Sequence, residues 1–141
     1  MESPRIRRLA RERALQYLFG LDITKDEWTD GLEDFWANTP AKPGVRNYAE
    51  KLIEGVARNQ TDLDTQISKS LRDWTPERIG GIERAIIRVA LFEMIHCSDV
   101  PAGVAINEAI EVAKRYGGDE APRFVNGILD EMRKQLIEAA L

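Results

Sequence analysis

A chain of 141 residues, 43% apolar and 31% charged, is long enough to bury one core without metal or disulfide support. Its formal charge of −4 excludes an indiscriminate polyanion binder, because an acidic body repels nucleic acid. A single cysteine excludes an internal disulfide, and no apolar run approaches the roughly 20 residues of a membrane span, so a cytoplasmic setting is expected.

The charge is unevenly placed. Residues 1–13 carry Arg5, Arg7, Arg8, Arg11 and Arg13 against two glutamates, a net of +3 that leaves −7 for the rest. In the same stretch Ile6, Leu9, Ala10, Ala14, Leu18 and Leu21 recur every three or four residues, which predicts a first amphipathic helix over 5–21. Ser3 and Pro4 suit its cap and first turn. Arg7, Arg8 and Arg11 fall beside that stripe, where they form either a phosphate-binding patch or a solvated face.

Trp28, Leu32, Phe35 and Trp36 predict a short second helix over 26–37, and two prolines with Gly44 then break the pattern. A third helix is expected over 45–58, burying Tyr48, Ala49, Leu52, Ile53 and Val56. Leu63, Ile67 and Leu71 mark a fourth, which Trp74-Thr75-Pro76-Glu77 ends with a fresh turn. The fifth, from Gly81 or Ile82 to His96, is the most apolar. The sixth opens at Asp99 and Pro101 and stops at Gly117-Gly118, and Asp119 suits the cap of a seventh. No stretch alternates as a half-buried strand does. The fold expected is all-α: one domain over 1–141, with helical halves of about 1–60 and 61–141. Its core is expected to include Leu9, Leu18, Leu52, Val56, Ile86, Val89, Ile106, Ala109 and Leu129.

Chemistry is sparse. His96-Cys97 supplies two adjacent side chains that diverge on a helix, a poor start for a metal site or a nucleophile–base pair. Glu108 and Glu111 share a helix face in the manner of solvated glutamates. Neither glycine pair precedes Lys-Ser or Lys-Thr, so phosphate-loop readings fail. We therefore expect no enzyme activity, no metal and no cofactor. Tyr116 and Phe124 lie across the Gly117-Gly118 turn with Lys114, Arg115 and Arg123 close in sequence. Rings beside cations suit single-stranded RNA, and equally suit ordinary packing of a helix hairpin.

Asp99-Val100-Pro101, Val104-Ala105-Ile106-Asn107-Glu108-Ala109, Ala113-Lys114, Gly117 and Phe124-Val125-Asn126-Gly127-Ile128-Leu129-Asp130 together closely resemble the NusB family of bacterial transcription antitermination factors. Ala10-Arg11-Glu12, Ala14-Leu15-Gln16, Trp74 and Ile82-Glu83-Arg84-Ala85-Ile86-Ile87-Arg88 agree in order. The resemblance implies a non-catalytic adaptor with seven helices in two subdomains. Such an adaptor binds boxA-type RNA of nascent transcripts, notably ribosomal RNA leaders, together with the ribosomal protein NusE, and joins an antitermination complex on RNA polymerase. By matching position it implies that Arg7, Arg8 and Arg11 meet RNA, that Tyr116 and Phe124 supply ring contacts, and that Phe19, Glu77 and Glu83 face NusE.

Several features depart from that pattern. Gly80-Gly81 loosens the start of the fifth helix and is expected just outside it. Pro122 removes a backbone donor before Phe124, and Asp119 and Glu120 put negative charge near the RNA side. Two other functions fit the same chain: the RNA-binding part of an RNA cytosine methyltransferase, and a protein-interaction module whose basic helix meets an acidic partner. Monomer and homodimer are both compatible with the sequence.

Overall fold

The computed structural model describes residues 3–71 and 75–140, so Trp74 lies outside the described residues. Among the described residues there are seven α-helices, one 3-10 turn and no strand. The helices are α1 (Pro4–Thr24), α2 (Leu32–Asn38), α3 (Pro43–Arg58), α4 (Gln60–Ser70), α5 (Gly81–His96), α6 (Ala102–Tyr116) and α7 (Ala121–Ala140). The 3-10 turn, Pro76–Arg78, precedes α5.

Local chemistry explains most boundaries. The Ser3 side chain accepts a hydrogen bond from the Ile6 amide at 3.2 Å, and Pro4 occupies the first turn of α1. Ser3→Ala is expected to cost about 1 kcal/mol, seen as faster amide exchange in the first turn of α1. An unchanged exchange rate would remove the cap from the account.

One expected boundary is corrected. Lys25 ends α1 in the left-handed region, at φ 63°, and the chain reverses through a turn before α2 begins at Leu32 instead of Asp26. The Tyr17 hydroxyl donates to the Trp28 carbonyl at 2.5 Å, which fixes this loop against α1. Gly80 caps α5, but Gly81 is its first residue, where the Phe19 ring lies over the backbone.

The central helix is α5, which packs against α1, α3, α4, α6 and α7. Of the expected core residues, Leu18, Leu52, Val56, Ile86, Val89, Ile106, Ala109 and Leu129 are buried. Leu9 is only half-buried and lies at the edge of the core. Gly55 on α3 lets the Phe92 ring of α5 sit directly on its backbone. Gly117 likewise admits Ala121 and closes the turn between α6 and α7.

Charged pairs fasten α5 to its neighbours. Asp22 of α1 accepts from Arg84, and Arg88 bonds Asp64 of α4 through two nitrogens at 2.8 and 2.9 Å. Burial works to raise the Asp22 pKa, but the hydrogen bond and charge of Arg84, with Arg88 and Lys25 beyond, hold it below the usual carboxylate range. A depressed folded pKa contributes stability above the unfolded value, and that stability is lost as pH falls through the folded one. Wild type should therefore lose stability progressively below about pH 4, and Asp22→Asn should flatten this fall in urea melts taken between pH 5 and 2. Equal acid slopes in the two proteins would contradict this.

Candidate nucleic-acid interface

The arginines of α1 do not form an open cationic stripe. Each of the three expected to meet RNA is met by a carboxylate from α5, α6 or the turn between them. Arg7 donates to Asp99 at 2.7 Å and lies over the Tyr48 ring, 4.6 Å from its centroid. Arg8 donates to Glu108 through Nε at 3.1 Å and Nη2 at 2.6 Å. Arg11 is 5% exposed, with Nε and Nη2 on Glu93 and Nη1 on Glu108.

Arg11 thus differs from its sequence expectation. It is enclosed between α1, α5 and α6, and all three of its nitrogens already serve carboxylates. Burial works to lower its pKa, but Glu93 reverses the direction, so the guanidinium stays charged. The Tyr48 hydroxyl completes the cluster with a 2.5 Å hydrogen bond to Glu93. Burial and that carboxylate together push the Tyr48 pKa well above its ordinary value.

Arg8 has the geometry of a surface ligand. Its side chain is 52% exposed, and its bonds to Glu108 use only the Nε–Nη2 edge. A guanidinium has five N–H donors, so the Nη1 edge keeps its donors for an incoming oxygen. The Glu108 hydrogen bond raises the Arg8 pKa further. Across a hollow of about 250 Å³, Arg8 faces Lys114 and Arg115 of α6. Glu12, buried at the floor, accepts from the Tyr116 hydroxyl at 2.6 Å and from Arg115 at 3.3 Å.

The aromatic pair is partly committed to the fold. Tyr116 and Phe124 are both half-buried against the core, and burial with the Glu12 bond raises the Tyr116 pKa. Glu108, read from sequence as one of two solvated glutamates, is instead buried and holds two arginines. Sequence reasoning buried Tyr48 and placed Glu12 in a family motif, but it missed the part that Glu12, Glu93 and Tyr48 take in holding these side chains. The one available signal was Glu93 itself, a carboxylate set inside the apolar run Leu91-Phe92-Glu93-Met94-Ile95.

The three residues expected to face a protein gather elsewhere. The Phe19 ring covers Gly81, while the Glu83 carboxylate folds back over Gly80 and towards Gly117. An acidic side chain in the first turn of α5 also suits the positive end of that helix. Glu77 is exposed on the 3-10 turn, its own amide and the Thr75 hydroxyl holding its carboxyl below the usual range. Phe19, Glu77 and Glu83 thus all lie near the start of α5, on α1, the 3-10 turn and α5. Among the described residues no group of three or more histidine, cysteine or acidic side chains has metal-holding geometry. His96 is exposed and stacks on Phe92, whereas Cys97 is buried.

The family model described as NusB family matches residues 8–134, a span that holds both arrangements apart from Arg7. The chain belongs to the NusB family. It is 41% identical over 130 residues to the transcription antitermination protein NusB of Bacillus subtilis, covering 92% of this chain and 96% of that one. The NusB of Desulfotalea psychrophila is 44% identical over 134 residues, covering 91% and 95%. Among solved structures, Thermotoga maritima NusB superposes with a TM-score of 0.84 at 33% identity, over 95% of this chain and 93% of that chain. A complex of the antitermination factors NusB and NusE with double-stranded RNA contains a chain that superposes at 0.86 with 25% identity, over 94% and 99%. The all-α architecture is therefore that of NusB proteins, and these relatives are named as transcription antitermination proteins.

Proposed function

We propose that this NusB-family chain is a transcription antitermination factor that binds boxA-type RNA of nascent transcripts, notably ribosomal RNA leaders, together with NusE. It acts without catalysis, as an adaptor that brings both to RNA polymerase. The observation that carries this reading is the half-exposed Arg8 guanidinium, held edge-on by Glu108 and facing Lys114 and Arg115 across one hollow. On a chain of net charge −4, three cations against Glu12 and Glu111 leave this hollow net positive, a local phosphate track. Its position on a fold shared with a chain of the NusB–NusE–RNA complex supports the same reading.

Within this surface the residues take different parts. Arg8, with Lys114 and Arg115, meets phosphates, and Arg7 lies at the edge of the same face. Arg11 is a positioning residue: with Glu108 it orients Arg8 and touches no RNA. Tyr116 and Phe124 offer ring edges beside the track. The surface around Phe19, Glu77 and Glu83 meets NusE, since carboxylates suit a basic ribosomal protein and repel phosphate.

Two measurements test the reading. Arg8→Ala should weaken single-stranded RNA of any sequence and flatten the slope of log affinity against log salt by about 0.7. An unchanged slope would remove Arg8 from the phosphate track. Glu77→Lys should weaken capture of NusE several-fold while leaving RNA affinity in the absence of NusE unchanged. Glu77 is the cleaner choice than Glu83, whose carboxylate also serves the start of α5. Full NusE capture by Glu77→Lys and by Phe19→Ala would move the partner surface elsewhere.

A further inference from the structure

Arg8 also borders a second hollow, lined by α1 and the start of α6. Its volume is about 340 Å³, and it opens between the start of α1 and the turn that leads into α6. Pro4, Val100, Pro101 and Val104 supply apolar walls, and the charged lining is Arg7, Arg8 and Arg11 with Asp99 and Glu108. Val104, on its wall, is 46% exposed.

We propose that this hollow is a base pocket that takes one unstacked RNA base, preferentially guanine, and that Asp99 reads its Watson–Crick edge. The inference rests on the RNA-binding reading above and adds a specificity-determining residue to it. Two classes of occupant compete on chemistry. A phosphate gains little, because Arg7 is already taken by Asp99 and Arg11 by Glu93 and Glu108, which leaves Arg8 alone against two carboxylates of the same lining. A flat heterocycle fits, because proline and valine walls offer apolar contact to its faces while a carboxylate accepts from N–H groups on its edge.

The acceptor count selects the base. An ionised carboxylate has about four acceptor positions. Arg7 takes one on Oδ2 at 2.7 Å, and the Asp99 backbone amide takes another. Positions remain on a side chain that is 41% exposed. Guanine presents two adjacent donors, N1–H and the 2-amino group, that match the two oxygens of a carboxylate. Uracil presents one N–H between two acceptors, and adenine and cytosine each place an acceptor beside the amine. The half-exposed Arg8 stands on the rim, where the phosphate of the same nucleotide is neutralised. Arg7, stacked on Tyr48, holds Asp99 in place from behind.

The test uses the full chain and single-stranded RNA 12-mers that differ at one central position, carrying guanosine, inosine or uridine. Inosine lacks only the 2-amino donor. Fluorescence anisotropy at fixed salt should show guanosine preferred over inosine by about tenfold, the low end of one bidentate base contact. Asp99→Asn, which replaces one acceptor oxygen by a donor, should bring that ratio to about one. Val104→Phe, at an exposed position on the wall, should abolish the preference by filling the hollow. Its helix content by circular dichroism shows that the fold is kept. Equal affinity of the wild type for guanosine and inosine, or a preference retained in Val104→Phe, would overturn the pocket. If the binding still falls with salt and with Arg8→Ala in that case, the phosphate track stands without the pocket. No salt-dependent binding to any of the three RNAs would overturn both.

Discussion

Replacing Arg11 by alanine is expected to destabilise the protein by about 3–5 kcal/mol, the largest single effect of any change at the basic helix. Glu93 is 1% exposed, and the substitution leaves its carboxylate buried with only the Tyr48 hydroxyl as partner. Glu108 loses a donor at the same time. Arg11→Lys should recover little of the loss, because one ammonium cannot reproduce a fork that reaches Glu93 by two nitrogens and Glu108 by the third. Urea melts monitored by circular dichroism measure the effect, and a loss below about 1 kcal/mol would mean that the cluster is solvated rather than buried. The result matters for function as well. A fall in RNA affinity in Arg11→Ala would follow from lost fold and lost orientation of Arg8, whereas the same fall in Arg8→Ala would report on the phosphate contact directly.

The second large effect lies where α3 crosses α5. A Cβ at Gly55 would fall inside the Phe92 ring, so Gly55→Val forces either the ring or the two helices apart. Overpacking of this kind costs about 3 kcal/mol, and the gain in helix propensity over glycine offsets only a part. Phe92→Leu in the same chain should return some of the loss, because the smaller side chain vacates the space. The coupling between the two substitutions in a double-mutant cycle is the diagnostic quantity. Additive costs would show that Gly55 and Phe92 do not compete for one volume.

Helix by helix, legibility followed the range of the forces involved. The start of α1 and the spans of α3, α5 and α6 were readable because Ser3-Pro4, an apolar repeat and flanking breakers all act within a turn or two. The start of α2 was not. Trp28 belongs to the apolar spacing, but Lys25 adopts a left-handed conformation that its residue type does not announce, and the helix waits for Leu32. Leu9 kept the right periodicity yet stayed half-buried, because periodicity gives a face and not the depth of what lies against it.

The interface was legible in composition and not in geometry. Arg7, Arg8 and Arg11 stood out as a charged run, but their partners lie 92, 100 and 82 residues further along the chain, and no local pattern joins them. A carboxylate that holds an arginine looks, in sequence, like one that faces water, as Glu108 did. The physical difference is burial, which depends on helix crossing. Membership of the NusB family was readable because short ordered motifs persist along the chain, within the span 8–134 that the family model matches.

The distance between those charges has a consequence for the order of synthesis. Residues 5–13 leave the ribosome long before Glu93, Asp99 and Glu108 do. During that interval the nascent chain displays a basic segment next to ribosomal RNA, with only Glu12 of its own to offset five arginines. Arrival of α5 and α6 replaces those encounters with internal carboxylates and leaves Arg8 as the half-exposed member of the three. Completion of the chain therefore trades external counter-charges for internal ones along most of the segment.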